Sequence, residues 1–284
     1  MSLQAGRGDR FLYYVAGVKV LTNLSAPRLP AHGWADASTT VIFDGVRSQK
    51  QRIARRCHVL QDPHFPPAYF DPEGSKVVIA ANCSTDTADI AAQIRRVVPF
   101  ASALQGKTIL HASAVVAGLS VFAFVGPSGA GKSTLASQLK TLGYFHLADD
   151  LLPCRSSASS VFVPLQSPRR GDTLTVRAIF FLRREAGLSS VNLAPLSGST
   201  FLQRLIVNGF GELGVPRMWN SQFMIYTNIV QNVRGFELII PDNLKKLPSA
   251  ASRIGEFILS AAEDSCGWHY TAPSGVAADR RYGI

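Results

Sequence analysis

Hydrophobic residues follow two rhythms along this chain. In Phe11–Leu21, 39–44 and 76–81 they are β-branched or aromatic and closely set, which predicts strands. Between these runs lie turn formers, above all Asp62-Pro-His-Phe-Pro-Pro67. From about Asp86 to Val98 the spacing changes. Ile90, Ile94, Val97 and Val98 fall on one helical face, behind Ser84 or Thr85 as the cap. Beyond residue 100 the pattern is sharper. Thr108–Val116 and Leu119–Val125 predict two strands joined at Ala117-Gly118, a two-residue turn in which glycine tolerates a positive φ. A helix is predicted from Gly131 to about Leu142, closed by Gly143 and followed by a short strand, Tyr144–Ala148. A strand at Val176–Leu182, helices near 197–208 and 219–232, and a last helix at Arg253–Ala262 complete the order. The tail Thr271–Ile284, polar and rich in small residues, reads as mobile.

This order predicts an α/β protein in two parts: an N-terminal α+β accessory part at 1–100 and a main domain at 101–284. With 46% hydrophobic and 17% charged residues, the chain lies far from the disordered regime and can bury a large core. The net charge is +10. It divides into 12 basic against 8 acidic residues in 1–100 and 17 against 11 in 101–284, so it is spread through the chain, which suits an anionic ligand or partner. The longest apolar stretch, Ser113–Val125, is too short and too interrupted to span a bilayer, and no apolar segment opens the chain as in a secretory signal. Cys57, Cys83, Cys154 and Cys266 are far apart and form no Cys-x-x-Cys pair, which predicts a reduced, cytoplasmic setting.

The chemistry concentrates in Gly126-Pro-Ser-Gly-Ala-Gly131-Lys132-Ser133, a full match to G-x-x-x-x-G-K-[ST]. An apolar strand enters it and a helix leaves it, the setting in which backbone N–H groups wrap a phosphate at the positive end of a helix. Lys132 is placed to reach the β- and γ-phosphates of a nucleotide, and the Ser133 hydroxyl to hold Mg²⁺. Asp149-Asp150 follows Lys132 by 17 residues, room for one helix and one strand crossing to a nearby parallel strand. The two carboxylates then stand at the same sheet edge as the phosphates. One can take the proton of an attacking hydroxyl while the other helps hold the metal. With the turn at Ala117-Gly118, His111 would face Phe124 and bring an imidazole to the same end.

Leu110-His-Ala-Ser-Ala-Val115, the glycine-rich loop and Gly143-Tyr-Phe-His-Leu-Ala-Asp-Asp150 together resemble the catalytic core of bacterial HPr kinase/phosphorylases and their shorter relatives, including the spacing of 15 from His111 to Gly126. Tyr14–Ser25 is similar to the opening strand of HPr-kinase-like proteins of lasso-peptide clusters, which phosphorylate a serine at the precursor peptide's C-terminus. The resemblance implies a P-loop kinase fold related to the nucleotide-binding core of phosphoenolpyruvate carboxykinase, with ATP and Mg²⁺ as cofactors. The nucleotide would be held by Gly126, Ser128, Gly129, Ala130, Gly131, Lys132, Ser133 and Thr134, and the metal by Ser133 and Asp150. Asp149 is read as the base, with Asp150 and His111 positioning metal and phosphate. Thr134 stands where HPr kinases carry Glu, and no Asp or Glu occurs between Asp150 and Asp172. Both departures argue against reverse phosphorolysis and against HPr itself as substrate.

The expected partner is therefore a peptide or small protein bearing an acceptor serine, with no nucleic acid and no membrane; self-association is left open. Arg47, Lys50, Arg52, Arg55 and Arg56 form a basic run without a nucleic-acid motif and read as a solvated face or a leader-peptide contact. Cys57-His58 with His64 fits no zinc spacing. Rival functions are an HPr-type serine kinase/phosphorylase, a regulatory ATP-binding protein and a small-molecule kinase.

Overall fold

The computed structural model describes residues 11–16, 18–29, 37–43, 57–80, 86–157, 159–164, 173–209 and 216–263. Among them, fourteen strands form two sheets and five α-helices cover them, a mixed α/β architecture. The basic run 47–56, the candidate caps Ser84 and Thr85, and the tail lie outside the described residues.

The first sheet contains β1 (Phe11–Val15), β2 (Val18–Thr22), β3 (Ala37–Phe43), β4 (His58–Asp62), β5 (Phe65–Phe70) and β6 (Lys76–Ile79), in the order β1-β2-β3-β6-β5-β4. The predicted single strand Phe11–Leu21 is in fact a hairpin: Val15 pairs with Val18 across a turn whose first residue, Ala16, has φ +48°. The run of β formers hides this turn because apolar residues continue on both sides of it. Asp62–Pro67 holds the β4–β5 turn, but Pro66 and Pro67 already belong to β5. They are tolerated because they stand in the irregularity between the Leu60–Ala68 and Asp62–Phe65 pairs and outside the β5–β6 pairs, where the ladder asks for no N–H; their carbonyls accept from Arg96 Nη1 and Ala80 N, each at 3.0 Å. Helix α1 (Thr87–Leu104) packs Ile90, Ile94, Val97, Val98 and Ala101 against Val20, Val41, Phe70 and Ile79 of this sheet. Its cap is Asp86, whose carboxylate accepts from Ala88 N at 2.8 Å. The helix continues through Pro99 to Leu104, because Phe100, Ala101 and Ala103 remain buried beyond the one hydrogen bond that proline removes.

The second sheet runs β11 (Val161–Pro164), β10 (Leu151–Ser156), β7 (Thr108–Ala117), β8 (Ser120–Val125), β12 (Thr173–Glu185), β14 (Arg234–Pro241) and β13 (Asn192–Pro195), with β9 (Phe145–Ala148) beside β7. Strands β8, β12 and β14 are mutually parallel and form its centre. Ala117 pairs with Ser120, so the β7–β8 turn is Gly118-Leu119 rather than Ala117-Gly118. Glycine, at φ +59°, takes the first turn position, where a positive φ is needed. The register therefore moves by two: Ser113, not His111, lies opposite Phe124. A shift of two keeps each side chain on its face.

Beyond an irregularity between Val176 and Ala178, β12 alternates cleanly. Ala178, Phe180 and Leu182 face helices α2 (Lys132–Thr141) and α5 (Leu247–Glu263), while Ile179 and Phe181 face α3 (Gly198–Val207) and α4 (Pro216–Asn232). Phe124, Phe180 and Phe236 stack across β8, β12 and β14 with centroids 5.3 and 5.5 Å apart. Burying each ring contributes roughly 1.5–3 kcal/mol to the layer beneath the glycine-rich loop. At the far end, β11 pairs with both β10 and β12, which bends the sheet round on itself. The two sheets meet at β7: Ile109 joins the α1 core and Leu151 packs against it. No helix among the described residues is long and apolar enough to cross a membrane.

Candidate active site

The six residues of β8 are all buried, and the chain leaves them at Gly126. A Cβ at Gly126 would lie 2.6 Å from the Leu182 carbonyl oxygen of β12, too close for any side chain. Gly126→Ala is therefore expected to cost about 1–3 kcal/mol of stability, read as a lower thermal midpoint. Gly131 caps α2 in the left-handed conformation, φ +97°, with no side chain bonded to the first turn. The open N-terminus of α2 thus faces the loop, the arrangement that favours an anion. Pro127, Ser128 and Gly129 are exposed at the loop tip, and Ala130 is buried beneath them.

Lys132 is buried, and its ammonium group donates to Gly126 O at 2.8 Å and Pro127 O at 3.1 Å across the mouth of the loop. Desolvation lowers its pKa, while Asp150 and Asp149 pull it upward. Ser133 and Thr134 are exposed in the first turn of α2.

β9 and β10 both run antiparallel to β7 along one edge, and Asp149-Asp150 forms the break between them. β9 is thus parallel in direction to β8 with β7 between, the nearby parallel strand expected from the spacing. Asp150 has φ +92°, a conformation that Asp and Asn accept more readily than other side chains. Its carbonyl receives Ala112 N at 3.1 Å, which ties the break to β7. His111 Nδ1 lies 2.9 Å from Asp150 Oδ1. The hydrogen bond from His111 holds the Asp150 carboxyl below its ordinary range, against desolvation and with help from the charges of His111, Arg95 and Lys132. Asp149 has a different partner: its Oδ1 accepts from Ser113 Oγ at 2.7 Å, and Ser113 Oγ lies 3.4 Å from Ser133 Oγ.

Every residue proposed from the sequence therefore gathers at one end of β8. Gly126–Thr134 forms the loop and first turn, Lys132 spans it, and Asp149, Asp150 and His111 stand on the neighbouring strands. Three further residues join them. Ser113 was legible in principle, two positions after His111 and so on the same face of β7. Arg184, three residues beyond the Phe181–Val125 pair, donates to Gly129 O and pairs with Asp242 at 3.2 Å. Its signal was its place at the end of a strand parallel to β8. Arg95, exposed on α1, had no local signal, because only the contact between α1 and β7 brings it towards Asp150.

Fold and site together define a mixed α/β protein with a G-x-x-x-x-G-K-S loop and an acidic pair on the adjoining strand edge. No family model matches the chain, and no curated protein matches it. Among solved structures it is similar to the HPr(Ser) kinase/phosphatase from Coxiella burnetii, at 12% identity over 56% of this chain and 99% of that one, with a TM-score of 0.33.

Proposed function

We propose that this protein is an ATP-dependent kinase that moves the γ-phosphate to the hydroxyl of a peptide or small protein, the acceptor being the C-terminal serine of a lasso-peptide precursor. The carrying observation is that Lys132, Ser133, Asp149 and the His111–Asp150 pair meet at one end of β8. The loop supplies uncapped backbone donors and one cation for phosphate oxygens. Ser133 and Asp149 offer the hard oxygen donors that suit Mg²⁺, which takes one or two protein oxygens beside those of the phosphates. When bound, the metal neutralises charge developing on the β- and γ-phosphates.

The acceptor oxygen would attack the γ-phosphorus in line. The new O–P bond forms as the bond to the β–γ bridging oxygen breaks, ADP leaves, and the acceptor proton passes to a carboxylate. The geometry favours Asp150 for that proton. Its Oδ1 is held by His111, leaving Oδ2 for the acceptor, whereas Asp149 is turned through Ser113 towards Ser133. This reverses the division read from the sequence, in which Asp149 was the base and Asp150 held metal. Lys132 would meet the charge on the transferring group. Arg95 and the overall +10 charge add positive potential on the acceptor side.

Choosing a peptide serine rests on the motif resemblance, the Tyr14–Ser25 opening and Thr134 in place of the acidic residue. Incubation with ATP, Mg²⁺ and a precursor peptide ending in Ser is expected to yield a product heavier by one phosphate at that residue by mass spectrometry. Changing that Ser to Ala should abolish the gain. Efficient phosphorylation of HPr with none of such peptides would overturn the lasso acceptor and leave the kinase standing.

A further inference from the structure

Ser113 is a polar residue with no exposed surface, set between Ala112 and Ala114 in the middle of β7. A hydroxyl there must find partners inside the protein, and its neighbours on the strand offer none. The partners it has belong to two other elements. It donates to Asp149 Oδ1 at 2.7 Å, on the break between β9 and β10, and stands 3.4 Å from Ser133 Oγ, in the first turn of α2. The first distance is that of a strong hydrogen bond to a carboxylate. The second is longer than a good hydroxyl–hydroxyl bond, so Ser133 keeps its hydroxyl for another partner. Ser133 and Asp149 are exposed and Ser113 is buried, so the buried hydroxyl bridges the two exposed oxygen donors from below.

We propose that Ser113 is a positioning residue for the divalent cation that accompanies the nucleotide. By committing its proton to Asp149 Oδ1 it fixes the orientation of that carboxylate, and so sets where Asp149 and the Ser133 hydroxyl can share one ion. A carboxylate on an exposed strand break rotates freely unless held; one buried hydroxyl holds it. Groups that orient metal-binding carboxylates in this way typically change metal affinity or activity 10–100-fold when removed. The inference rests on the nucleotide reading given above, and its test separates the two.

ATP affinity is measured on the full chain by calorimetry, once with Mg²⁺ and once with chelator. Ser113→Ala is expected to weaken ATP binding about 10–100-fold with Mg²⁺ and to leave it unchanged with chelator. Ser113→Thr, which keeps the hydroxyl on a strand that suits β-branched residues, should restore most of the Mg²⁺-dependent affinity. Mn²⁺ binding in the presence of ATP, followed by paramagnetic resonance, should weaken in parallel in the alanine variant. An unchanged Mg²⁺-dependent affinity in Ser113→Ala overturns the proposal. So does an equal loss with and without the metal, which would make Ser113 a packing residue. Absence of ATP binding by the unaltered protein under both conditions would overturn the nucleotide reading itself.

Discussion

Lys132→Ala is expected to reduce phosphate transfer by about 10²–10³-fold, the usual effect of removing one preorganised donor to developing charge. The ammonium is buried, donates to Gly126 O and Pro127 O, and is the only Lys or Arg within the G-x-x-x-x-G-K-S segment. Its desolvation would make a contact with phosphate oxygen stronger than on an open surface. The core beneath the loop comes from Leu135, Ala136 and Leu139 of α2 with Phe122 and Phe124 of β8, so the variant should keep its circular dichroism spectrum and cooperative melting. Lys132→Arg should not rescue, because a planar guanidinium cannot replace a compact ammonium spanning two loop carbonyls. Single-turnover rates at saturating ATP measure the loss. An unchanged rate in a folded alanine variant would remove the loop from the chemistry.

The second large effect separates the two carboxylates. Asp150→Asn should lower turnover by about 10²–10⁴-fold, the range for a positioned base, with Mg-ATP affinity preserved. Asparagine accepts the positive φ of this position and can still receive a bond from His111, so the change isolates the proton-accepting role. Asp149→Asn should instead raise the Mg²⁺ concentration needed for half-maximal activity, because this carboxylate is turned by Ser113 towards Ser133. Measuring kcat against Mg²⁺ for both variants decides the matter. If Asp149→Asn lost turnover at saturating Mg²⁺ while Asp150→Asn shifted the metal requirement, the division inferred from the sequence would be restored.

The loop, its strand and its helix were legible because three signals coincide there: an apolar run, glycines at fixed offsets and a helical repeat ending at Gly143. The acidic pair was legible from distance along the chain, since 17 residues after Lys132 allow little but one helix and a return strand. The β7–β8 turn lies one position beyond the Ala117-Gly118 expected from the sequence, yet His111 keeps the expected face because the register differs by an even number of residues. The different partners of Asp149 and Asp150 were not legible. Adjacent residues share a sequence neighbourhood, and only the positive φ of Asp150 and the partners on β7 send them in different directions. In the N-terminal part, β1 and β2 merged because a short turn leaves no polar gap, and the prolines of β5 disguised a strand. Arg95 and Arg184 arrive by packing between elements, which no local pattern encodes.

The double pairing of β11 has a consequence for how the site is held. Strands β7, β8, β12, β11 and β10 form a closed hydrogen-bonded hoop, with the glycine-rich loop springing from β8 and the carboxylates from the start of β10. In an open sheet a strand can shear past one neighbour. In a hoop, a slip at one seam must be taken up at the others, and a one-residue slip would turn buried faces outward. The span between the glycine-rich loop and the carboxylates is thus set by folding itself, and on the proposed function little of a ligand's binding free energy would be diverted to assembling the two halves of the site.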